Sequence, residues 1–280
     1  MTDRSVLITG CSSGFGMVTA AELARRGWRV FATMRNLEKR ARLDEAVAGA
    51  PDRVEVLRLD VNDQASVDET VGQVLAETGG ALGAVVHNAG ISGAGAFEDL
   101  SDEAVRAVME TNFHGVLRVT KAVLPAMRAR RSGRVLIVSS AAAFRGTPGQ
   151  SHYIASKWAV EGWAESVSME VRHFGIDVIC VEPGPYRTDI WDTSERTVPV
   201  DGPYAEMAAK LERFAEERVI PRARDPQEVA MTIADALEAA RPRFRYPVGP
   251  EAHMLWAARG KVPHRVFENL TARLTGMPRE

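Results

Sequence analysis

Six short apolar runs recur in the first two thirds of the chain, and they are separated by segments whose apolar positions repeat every three to four residues. The runs lack polar alternation, which is typical of parallel strands that are buried on both faces. They cover residues 6–9, 30–33, 54–59, 84–86, 135–138 and 178–181. The segments with helical spacing include residues 16–26, 64–78 and 104–131. Repeated strand–helix–strand units predict an α/β fold with a doubly wound parallel sheet of the Rossmann type.

The pattern changes after residue 183. Residues 184–203 are rich in glycine and proline and predict a loop. Helices are predicted at residues 203–218 and 226–240, and a last strand at 244–248. We expect residues 186–220 to form a substrate loop and lid, and the tail from 251 to 280 to form an amphipathic helix. Because no linker or repeat divides the chain, residues 1–280 are predicted to form one domain with a C-terminal helical substrate-loop region.

The composition is that of an ordinary globular protein, with 45% apolar residues, 26% charged residues and a formal net charge of −2. This balance argues against a nucleic-acid-binding surface, which needs a strong basic excess. The two cysteines, Cys11 and Cys180, are far apart in sequence and favour a reducing compartment over a disulfide framework. We find no secretory leader and no apolar run of about 18 residues, so we expect a cytoplasmic protein with no membrane partner.

A glycine-rich turn follows the first predicted strand and extends from Thr9 to Gly16. Its spacing, G-x-x-x-G-x-G, differs from the G-x-G-x-x-G of the common dinucleotide-binding fold. Glycines permit a tight turn and a close backbone approach, and the helix that follows offers N–H groups to a pyrophosphate. Since parallel sheets bind ligands at the carboxyl ends of their strands, the turn is predicted to bind a dinucleotide rather than to serve only as a tight connection.

The residues at the end of the second predicted strand indicate which dinucleotide is bound. An acidic residue there binds the ribose 2′-hydroxyl of NAD and repels a 2′-phosphate. Here the position is occupied by Met34, and the next residue is Arg35, whose forked cationic side chain suits a phosphate. NADP(H) is therefore favoured over NAD(H). The alternative interpretation is that Arg35 only begins a basic helix with Lys39 and Arg40.

Tyr153 and Lys157 form a Tyr-x-x-x-Lys motif in a chain that has only four tyrosines and five lysines. On a helix these two positions share one face, which places the phenol beside the ammonium. A phenol has an ordinary pKa near 10, and a neighbouring positive charge lowers that pKa toward neutrality. Tyr153 is therefore expected to protonate a carbonyl oxygen in reduction and to deprotonate an alcohol in oxidation.

These motifs, together with Ser140 at the end of the fifth predicted strand, resemble the short-chain dehydrogenase/reductase family. The glycine turn matches that family's T-G-x-x-x-G-x-G, and the stretch from this turn to Ala-Thr-Met-Arg is similar to hydroxysteroid and retinol dehydrogenases. The resemblance implies that Ser140 holds the substrate oxygen and that Tyr153 is the general acid and base. It also implies that Lys157 binds the nicotinamide ribose, while Asn112 connects the lysine to a water-borne proton path.

The resemblance further implies a set of cofactor-binding residues at the strand ends. Its members are Gly10, Ser12, Ser13, Gly14, Phe15, Gly16, Arg35, Asp60, Val61, Asn88, Ala89, Gly90, Tyr153, Lys157, Pro183, Gly184, Tyr186 and Thr188. Asp60 and Val61 are expected at the adenine, and residues 88–90 beside the adenosine ribose. Thr188 is expected to bind the nicotinamide carboxamide. Ser13 stands where many NADP-using members carry a basic residue, so an NAD-preferring dehydrogenase of the same family is the alternative.

The substrate pocket is expected between the segments that follow the fourth, fifth and sixth strands. Its predicted lining is Ser140, Tyr153, Phe97, Phe144, Tyr186 and Trp191. Such an apolar and aromatic lining suits a hydrophobic ketone or aldehyde and the corresponding alcohol. The six histidines show no metal-ligand spacing, so no metal is expected. The resemblance implies a homodimer or homotetramer, and a catalytically silent dinucleotide-binding regulator is the remaining alternative.

Overall fold

A parallel seven-stranded β-sheet forms the centre of the protein. The computed structural model describes residues 4–190, 195–197 and 201–277. The strands are β1 (Ser5–Ile8), β2 (Arg29–Met34), β3 (Val54–Arg58), β4 (Ala84–His87), β5 (Gly93–Ala94), β6 (Gly133–Val138), β7 (Ile176–Pro183), β8 (Glu195–Arg196) and β9 (Arg245–Val248). The main sheet has the order β3-β2-β1-β4-β6-β7-β9, and β5 pairs with β8 separately. The predicted strands and the doubly wound, Rossmann-type fold are confirmed.

Helices cover both faces of this sheet. They are α1 (Gly14–Arg25), α2 (Ala41–Ala46), α3 (Gln64–Glu77), α4 (Asp102–Met109), α5 (Gly115–Arg130), α6 (Ser151–Val171), α7 (Ala205–Phe214), α8 (Gln227–Glu238), α9 (Pro250–Ala258) and α10 (His264–Thr275). Side chains along each strand alternate between two apolar layers, as the period of two requires. Val6 and Ile8 pack with α1, α2 and α8, whereas Leu7 packs with α3, α5 and α6. This burial on both faces explains the unbroken apolar runs. No helix in the described part of the chain is long and apolar enough to cross a bilayer.

The two cysteines lie in opposite apolar layers. Cys11 belongs to the layer of α1, and Cys180 of β7 belongs to the layer of α6. Both thiols are buried and free. Because the sheet separates them, they cannot pair, as the sequence predicts.

The chain changes direction in the sheet between β1 and β4. From β1 the chain continues to β2 and β3 on one side, and from β4 it continues to β6, β7 and β9 on the other. This reversal opens a crevice at the carboxyl ends of β1 and β4, which is where open α/β sheets bind ligands. Thr9, Asn88 and Ser140 follow β1, β4 and β6, so the topology brings these three segments to one edge.

The tail differs from the single amphipathic helix predicted for residues 251–280. It contains two helices, α9 and α10, of which α10 ends within the described residues. The break between them contains Gly260, with φ of +72°, and Pro263, which has no N–H to continue a helix. Phe144, which lies after β6, joins Ala252 of α9 in a small apolar cluster. The tail therefore packs on the segment that follows Ser140.

Candidate active site

The glycine-rich turn between β1 and α1 packs closely against the segment after β4. Gly10 has φ of +74°, and a Cβ there would lie 2.8 Å from the Cα of Ala89. A Cβ on Gly16 would lie 2.3 Å from the carbonyl oxygen of Gly10 and 2.4 Å from Nδ2 of Asn88. A side chain therefore does not fit at either glycine, and the turn forms a shallow cradle beside the crevice.

Asn88 fastens this cradle to the end of β4. Its Nδ2 donates to the carbonyl oxygens of Thr9 at 3.0 Å and Gly10 at 2.8 Å. In return, Oγ1 of Thr9 accepts the backbone N–H groups of Asn88 and Ala89, both at 3.0 Å. The structure thus brings residues 88–89 into contact with the glycine turn. Their contact with a cofactor, and that of Gly90, stays a prediction.

The first turn of α1 offers backbone N–H groups to the crevice. Ser13 stands at the N-cap in an extended conformation, and its side chain makes no capping hydrogen bond. Ser12, Ser13, Gly14 and Phe15 are all half-buried at this end of the helix. Uncapped N–H groups and the helix dipole favour an anion at such a position. These half-buried residues and the uncapped N–H groups of α1 fit the pyrophosphate of a dinucleotide.

The next strand ends carry the residues predicted to contact the adenosine. Met34 at the end of β2 is buried, whereas the adjacent Arg35 is exposed. Asp60 follows the neighbouring strand β3, and its Oδ1 accepts the N–H of Asn62 at 3.0 Å. Val61 packs against Gly115, where an added Cβ would lie 2.8 Å from the valine Cγ2. The structure therefore places an exposed cation directly after β2, and neither Met34 nor Arg35 is a carboxylate.

Ser140, Tyr153 and Lys157 converge at the carboxyl end of β6. Nζ of Lys157 donates to the carbonyl oxygen of Val138 at 3.1 Å and lies 5.7 Å from the centroid of the Tyr153 ring. Oγ of Ser140 accepts the N–H of Ala142 at 3.1 Å, and the serine hydroxyl is hydrogen-bonded to the phenol of Tyr153. The strand end and one turn of α6 thus bring together the three residues that the motif indicated.

The charges at this site differ from the expectation drawn from the sequence. Burial raises the pKa of Tyr153, and the hydrogen bond from Ser140 lowers it by a smaller amount. Burial also lowers the pKa of Lys157 to about 8. The expectation that the ammonium makes the phenol acidic is wrong here, because Nζ is directed at the carbonyl of Val138 and desolvation disfavours both charged forms. At neutral pH Tyr153 is therefore a neutral phenol with a proton to donate.

Asn112 lies in a π-helical turn, Glu110–His114, between α4 and α5. Its Oδ1 accepts the N–H of Ile91 at 2.8 Å, and its Nδ2 donates to the carbonyl oxygen of Ile91 at 2.8 Å and to Oγ of Ser156 at 3.0 Å. Asn112 thus joins the segment after β4 to α6, where its partner Ser156 immediately precedes Lys157. π-Helical turns recur at functional sites because they redirect side chains within a helix. The predicted proton path stays a prediction.

The segment that follows β7, residues 184–190, runs toward the glycine turn; we call it the post-β7 segment. Tyr186 in this segment is 2% exposed, and its ring meets that of Phe15 edge-on with centroids 5.7 Å apart. The phenol donates to Oε2 of Glu228 at 2.9 Å. The prediction that Tyr186 lines the substrate pocket is therefore wrong, because its ring is enclosed between α1 and α8.

Further contacts continue along the post-β7 segment. A Cβ added to Gly14 would lie 3.4 Å from Cβ of Thr188, so the threonine faces the glycine turn. Asp189 forms an ion pair with Arg42 of α2, with 3.4 Å between Nη2 and Oδ1. Pro183 and Gly184 connect this segment to β7. The post-β7 segment therefore contacts the cradle through Thr188 and α2 through Asp189. No sequence motif indicated the Arg42–Asp189 ion pair.

The aromatic residues predicted to line the substrate pocket differ from one another in exposure and in the elements that they contact. Phe97 is 73% exposed, in the region after β5. Phe144 is 1% exposed and packs on α9, so its predicted place in the pocket lining is wrong, because the tail covers the ring. Trp191 lies outside the described residues. A cavity of about 150 Å³ lies between residues 91–93, α4 and His152, the neighbour of Tyr153.

A buried charge cluster behind the site was not predicted from the sequence. Glu182 of β7 is fully buried, and its Oε1 lies 3.2 Å from Nη1 of Arg245, which also pairs with Glu161 of α6. Its Oε2 accepts the N–H of Tyr246 at 3.0 Å, and burial raises the pKa of Glu182 to about 8. The sequence feature that could have indicated this cluster is Glu182 itself, a carboxylate directly after the apolar run 178–181. Among the described residues, no group of three or more His, Cys, Asp or Glu side chains could hold a metal ion.

Comparison with known proteins adds the evolutionary context. The profile of the family described as short chain dehydrogenase matches residues 4–199. The chain is 34% identical to 3-ketodihydrosphingosine reductase of Bacteroides thetaiotaomicron, covering 92% of each chain. It is 36% identical to retinol dehydrogenase 8 of Bos taurus (86% of this chain, 80% of that one) and 36% identical to human 17-beta-hydroxysteroid dehydrogenase type 1 (88% and 77%). A solved short-chain dehydrogenase from Streptomyces avermitilis superposes with a TM-score of 0.80 at 33% identity, covering 98% of this chain and 96% of that one. The resemblance found in the motifs is confirmed: the chain belongs to the short-chain dehydrogenase family of oxidoreductases.

Proposed function

We propose that the protein is an NADP(H)-dependent oxidoreductase that interconverts a hydrophobic ketone or aldehyde and the corresponding alcohol. The observation that carries this proposal is the convergence of Ser140, Tyr153 and Lys157 beside the crevice of the sheet. A bound nicotinamide dinucleotide supplies the hydride. The residues of the chain itself hold the substrate oxygen and exchange its proton.

In reduction, the hydroxyl groups of Ser140 and Tyr153 donate hydrogen bonds to the carbonyl oxygen. As negative charge develops on that oxygen, Tyr153 transfers its proton, and Ser140 stabilises the charge. The ammonium of Lys157, whose pKa is about 8, is mostly charged at neutral pH and binds the nicotinamide ribose hydroxyls in this proposal. Because burial raises the pKa of Tyr153, the protein near neutral pH carries the protonated phenol that reduction uses, and the rate of oxidation should rise with pH.

The preference for NADP(H) rests on the end of β2. Arg35 is exposed there, next to the buried side chain of Met34, and a guanidinium binds a phosphate through two parallel hydrogen bonds. No carboxylate occupies these two positions to repel a 2′-phosphate. An NAD-preferring dehydrogenase stays the second candidate, since Ser13 supplies no charge in the glycine turn. Titration of the protein with NADPH and with NADH separates the two.

Two features support a hydrophobic substrate, and a hydrogen bond supports a lid over it. The names of the relatives refer to a ketosphingoid base, retinol and a hydroxysteroid, all of which are lipids with large apolar surfaces. Phe97 exposes its ring in the region after β5. Residues 186–220 form the substrate loop and lid in this proposal, and the phenol of Tyr204 in that region donates to Oε2 of Glu98 at 2.8 Å. That bond ties the lid to the residue after Phe97.

Turnover of NADPH with a panel of carbonyl compounds tests the proposal. The panel contains decanal, 2-decanone, all-trans-retinal and a 17-ketosteroid, and acetone serves as the small polar comparison. We expect the hydrophobic members to have at least ten-fold higher kcat/KM than acetone, because an apolar pocket gains about 0.8 kcal/mol for each buried methylene. The absence of turnover with every compound, with either nicotinamide, would contradict the proposal.

The variant Tyr153→Phe is the matched control for that panel. It removes one hydroxyl and keeps the ring, so NADPH affinity should stay within two-fold of the parent protein. Turnover should fall by at least about 10³-fold, since general acid catalysis contributes 10²–10⁴-fold and Tyr153 is the only proposed acid. Undiminished turnover in this variant means that another group delivers the proton.

We also propose that the protein is a homodimer or homotetramer in the cytoplasm. Helices α5 and α6 are the proposed pairing surface, and Met169 of α6 is 71% exposed on it. Two free, buried thiols fit a reducing compartment. Light scattering measures the mass, and a monomer at micromolar concentration would contradict the assembly.

A further inference from the structure

The five residues that follow Ser140 pack on the tail; we call residues 141–145 the serine segment. Residues 141–143 form a single 3₁₀ turn. The next residue, Phe144, is 1% exposed and packs with Ala252 and Leu255 of α9. Its ring also lies against that of Trp256, with centroids 5.3 Å apart. The tail thus buries the side chain that ends the turn beside the catalytic serine.

Arg145, the last residue of the serine segment, reaches both tail helices. Its Nη2 donates to the carbonyl oxygens of Val262 at 2.8 Å and Ala258 at 3.4 Å. Ala258 is the last residue of α9, where the helix dipole attracts a cation, and Val262 lies in the loop between α9 and α10. The guanidinium carbon lies 5.0 Å from the ring centroid of Phe267 in α10, a cation–π contact. One side chain therefore caps α9 and stacks on α10.

The serine segment also sets the direction of the Ser140 hydroxyl. The N–H of Ala142 donates to Oγ of Ser140 at 3.1 Å, and the carbonyl oxygen of Ala142 accepts Nε1–H of Trp158 at 3.2 Å. Because Ala142 occupies one lone pair of Oγ, the position of its N–H restricts the directions in which the serine O–H can point. A shift of the Ala142 peptide therefore turns the hydroxyl that is proposed to hold the substrate oxygen.

We propose that Arg145 is a positioning residue, through which the two tail helices fix the catalytic hydroxyl of Ser140. The proposal rests on the catalytic role of Ser140 given under Proposed function. Arg145 itself does not touch the reacting atoms. Without it, the serine segment keeps the packing of Phe144 but loses its hydrogen bonds to the end of α9 and to the loop after it, and its ring contact with α10. A displacement of about 1 Å at a catalytic group is enough to cost up to about 10²-fold in rate.

The variant Arg145→Met tests this role, because methionine keeps an apolar stem and removes the donors and the charge. Arg243→Met is the matched control, since Arg243 also stacks on an aromatic ring, that of Tyr246 at 4.7 Å, but is exposed and lies outside the serine segment and the tail. Both variants are assayed with NADPH and decanal, and hydrogen exchange is followed in the peptide covering residues 139–146. For Arg145→Met we expect kcat to fall about ten-fold and exchange in that peptide to accelerate, with NADPH affinity within two-fold. The control should match the parent protein in all three.

The pH profile separates positioning from a general loss of stability. The bond from Ser140 lowers the pKa of Tyr153, so its loss should move the falling alkaline limb of the reduction rate to higher pH in Arg145→Met. Arg145→Lys keeps the charge and one donor and should recover most of kcat. If Arg145→Met does not fold, Phe267→Leu removes the ring beneath the guanidinium and should give the same changes at two- to three-fold size.

Two results overturn the inference. One is a kcat within two-fold of the parent protein together with unchanged exchange at residues 139–146 in Arg145→Met or, where that variant does not fold, an unchanged kcat and unchanged exchange in Phe267→Leu. The other is a loss of kcat that leaves the pH profile and the exchange unmoved. The variant Ser140→Ala distinguishes a failure of the positioning role from a failure of the proposed function. If Ser140→Ala abolishes turnover while Arg145→Met does not reduce it, the proposed function stands and the positioning role falls.

Discussion

Replacing Gly16 with alanine adds one methyl group where the glycine cradle has no space. The new Cβ would lie 2.3 Å from the carbonyl oxygen of Gly10 and 2.4 Å from Nδ2 of Asn88, which is about 1 Å closer than ordinary contact. Relief requires Asn88 to move, although its Nδ2 holds the carbonyls of Thr9 and Gly10. Two lost hydrogen bonds cost about 1 kcal/mol each, and overpacking costs about 1–3 kcal/mol more. We therefore expect the free energy of unfolding to fall by about 3–5 kcal/mol, which lowers Tm by roughly 10 °C.

Thermal unfolding followed by circular dichroism measures this loss, and NADPH fluorescence measures the affinity of the cradle. We expect NADPH affinity to fall at least ten-fold in Gly16→Ala, because the turn that holds the pyrophosphate must shift. Gly72→Ala is the control: Gly72 is exposed on α3, and an added Cβ would meet nothing within 4 Å. This control should be more stable by about 0.5–1 kcal/mol. A Gly16→Ala variant that unfolds and binds NADPH like the parent protein would refute the close packing of the turn.

Three other substitutions have outcomes that follow from the structure. Arg35→Ala should weaken NADPH binding at least ten-fold and leave NADH binding within two-fold; equal losses in the two titrations would remove the arginine from the 2′-phosphate site. The pKa of Glu182 is about 8 in the folded protein against about 4.3 in the unfolded chain, so the folded state holds more protons between about pH 5 and 8. The free energy of unfolding should therefore fall as pH rises through this window, by at most about 1.4 kcal/mol per pH unit, and Glu182→Gln should flatten that slope in denaturant titrations. Arg42→Ala should lower the free energy of unfolding by less than about 1 kcal/mol, because the ion pair with Asp189 is largely exposed. A larger loss in the same titrations would show that this ion pair contributes more than an exposed pair does.

The sheet and the catalytic trio could be predicted because short-range patterns determine them. A strand that is buried on both faces needs apolar residues throughout, so the six runs marked six strands of the main sheet within a few residues. Tyr153 and Lys157 meet because one helical turn separates them, and Ser140 meets them because it follows the strand that leads to this helix. In each case a spacing of a few residues fixes the geometry.

The surroundings of these residues could not be predicted, because they depend on distant parts of the chain. Phe144 is an aromatic residue in the expected place for a pocket wall, and only the packing of Ala252, more than 100 residues later, shows that it is covered. Tyr186 is likewise enclosed by Phe15 and its bond to Glu228. The pKa of Tyr153 follows from desolvation, which no spacing of residues encodes.

The post-β7 segment has a consequence for how the two ligands bind. Through Thr188 and Asp189 it contacts the glycine turn and α2, and it continues into the residues proposed to close over the carbonyl compound. A ligand that immobilises this stretch on either side removes part of its conformational entropy in advance, so the second ligand loses less on binding. By thermodynamic linkage, the gain in affinity is the same whichever of the two ligands binds first. Nucleotide and carbonyl compound should therefore strengthen each other's affinity by the same factor.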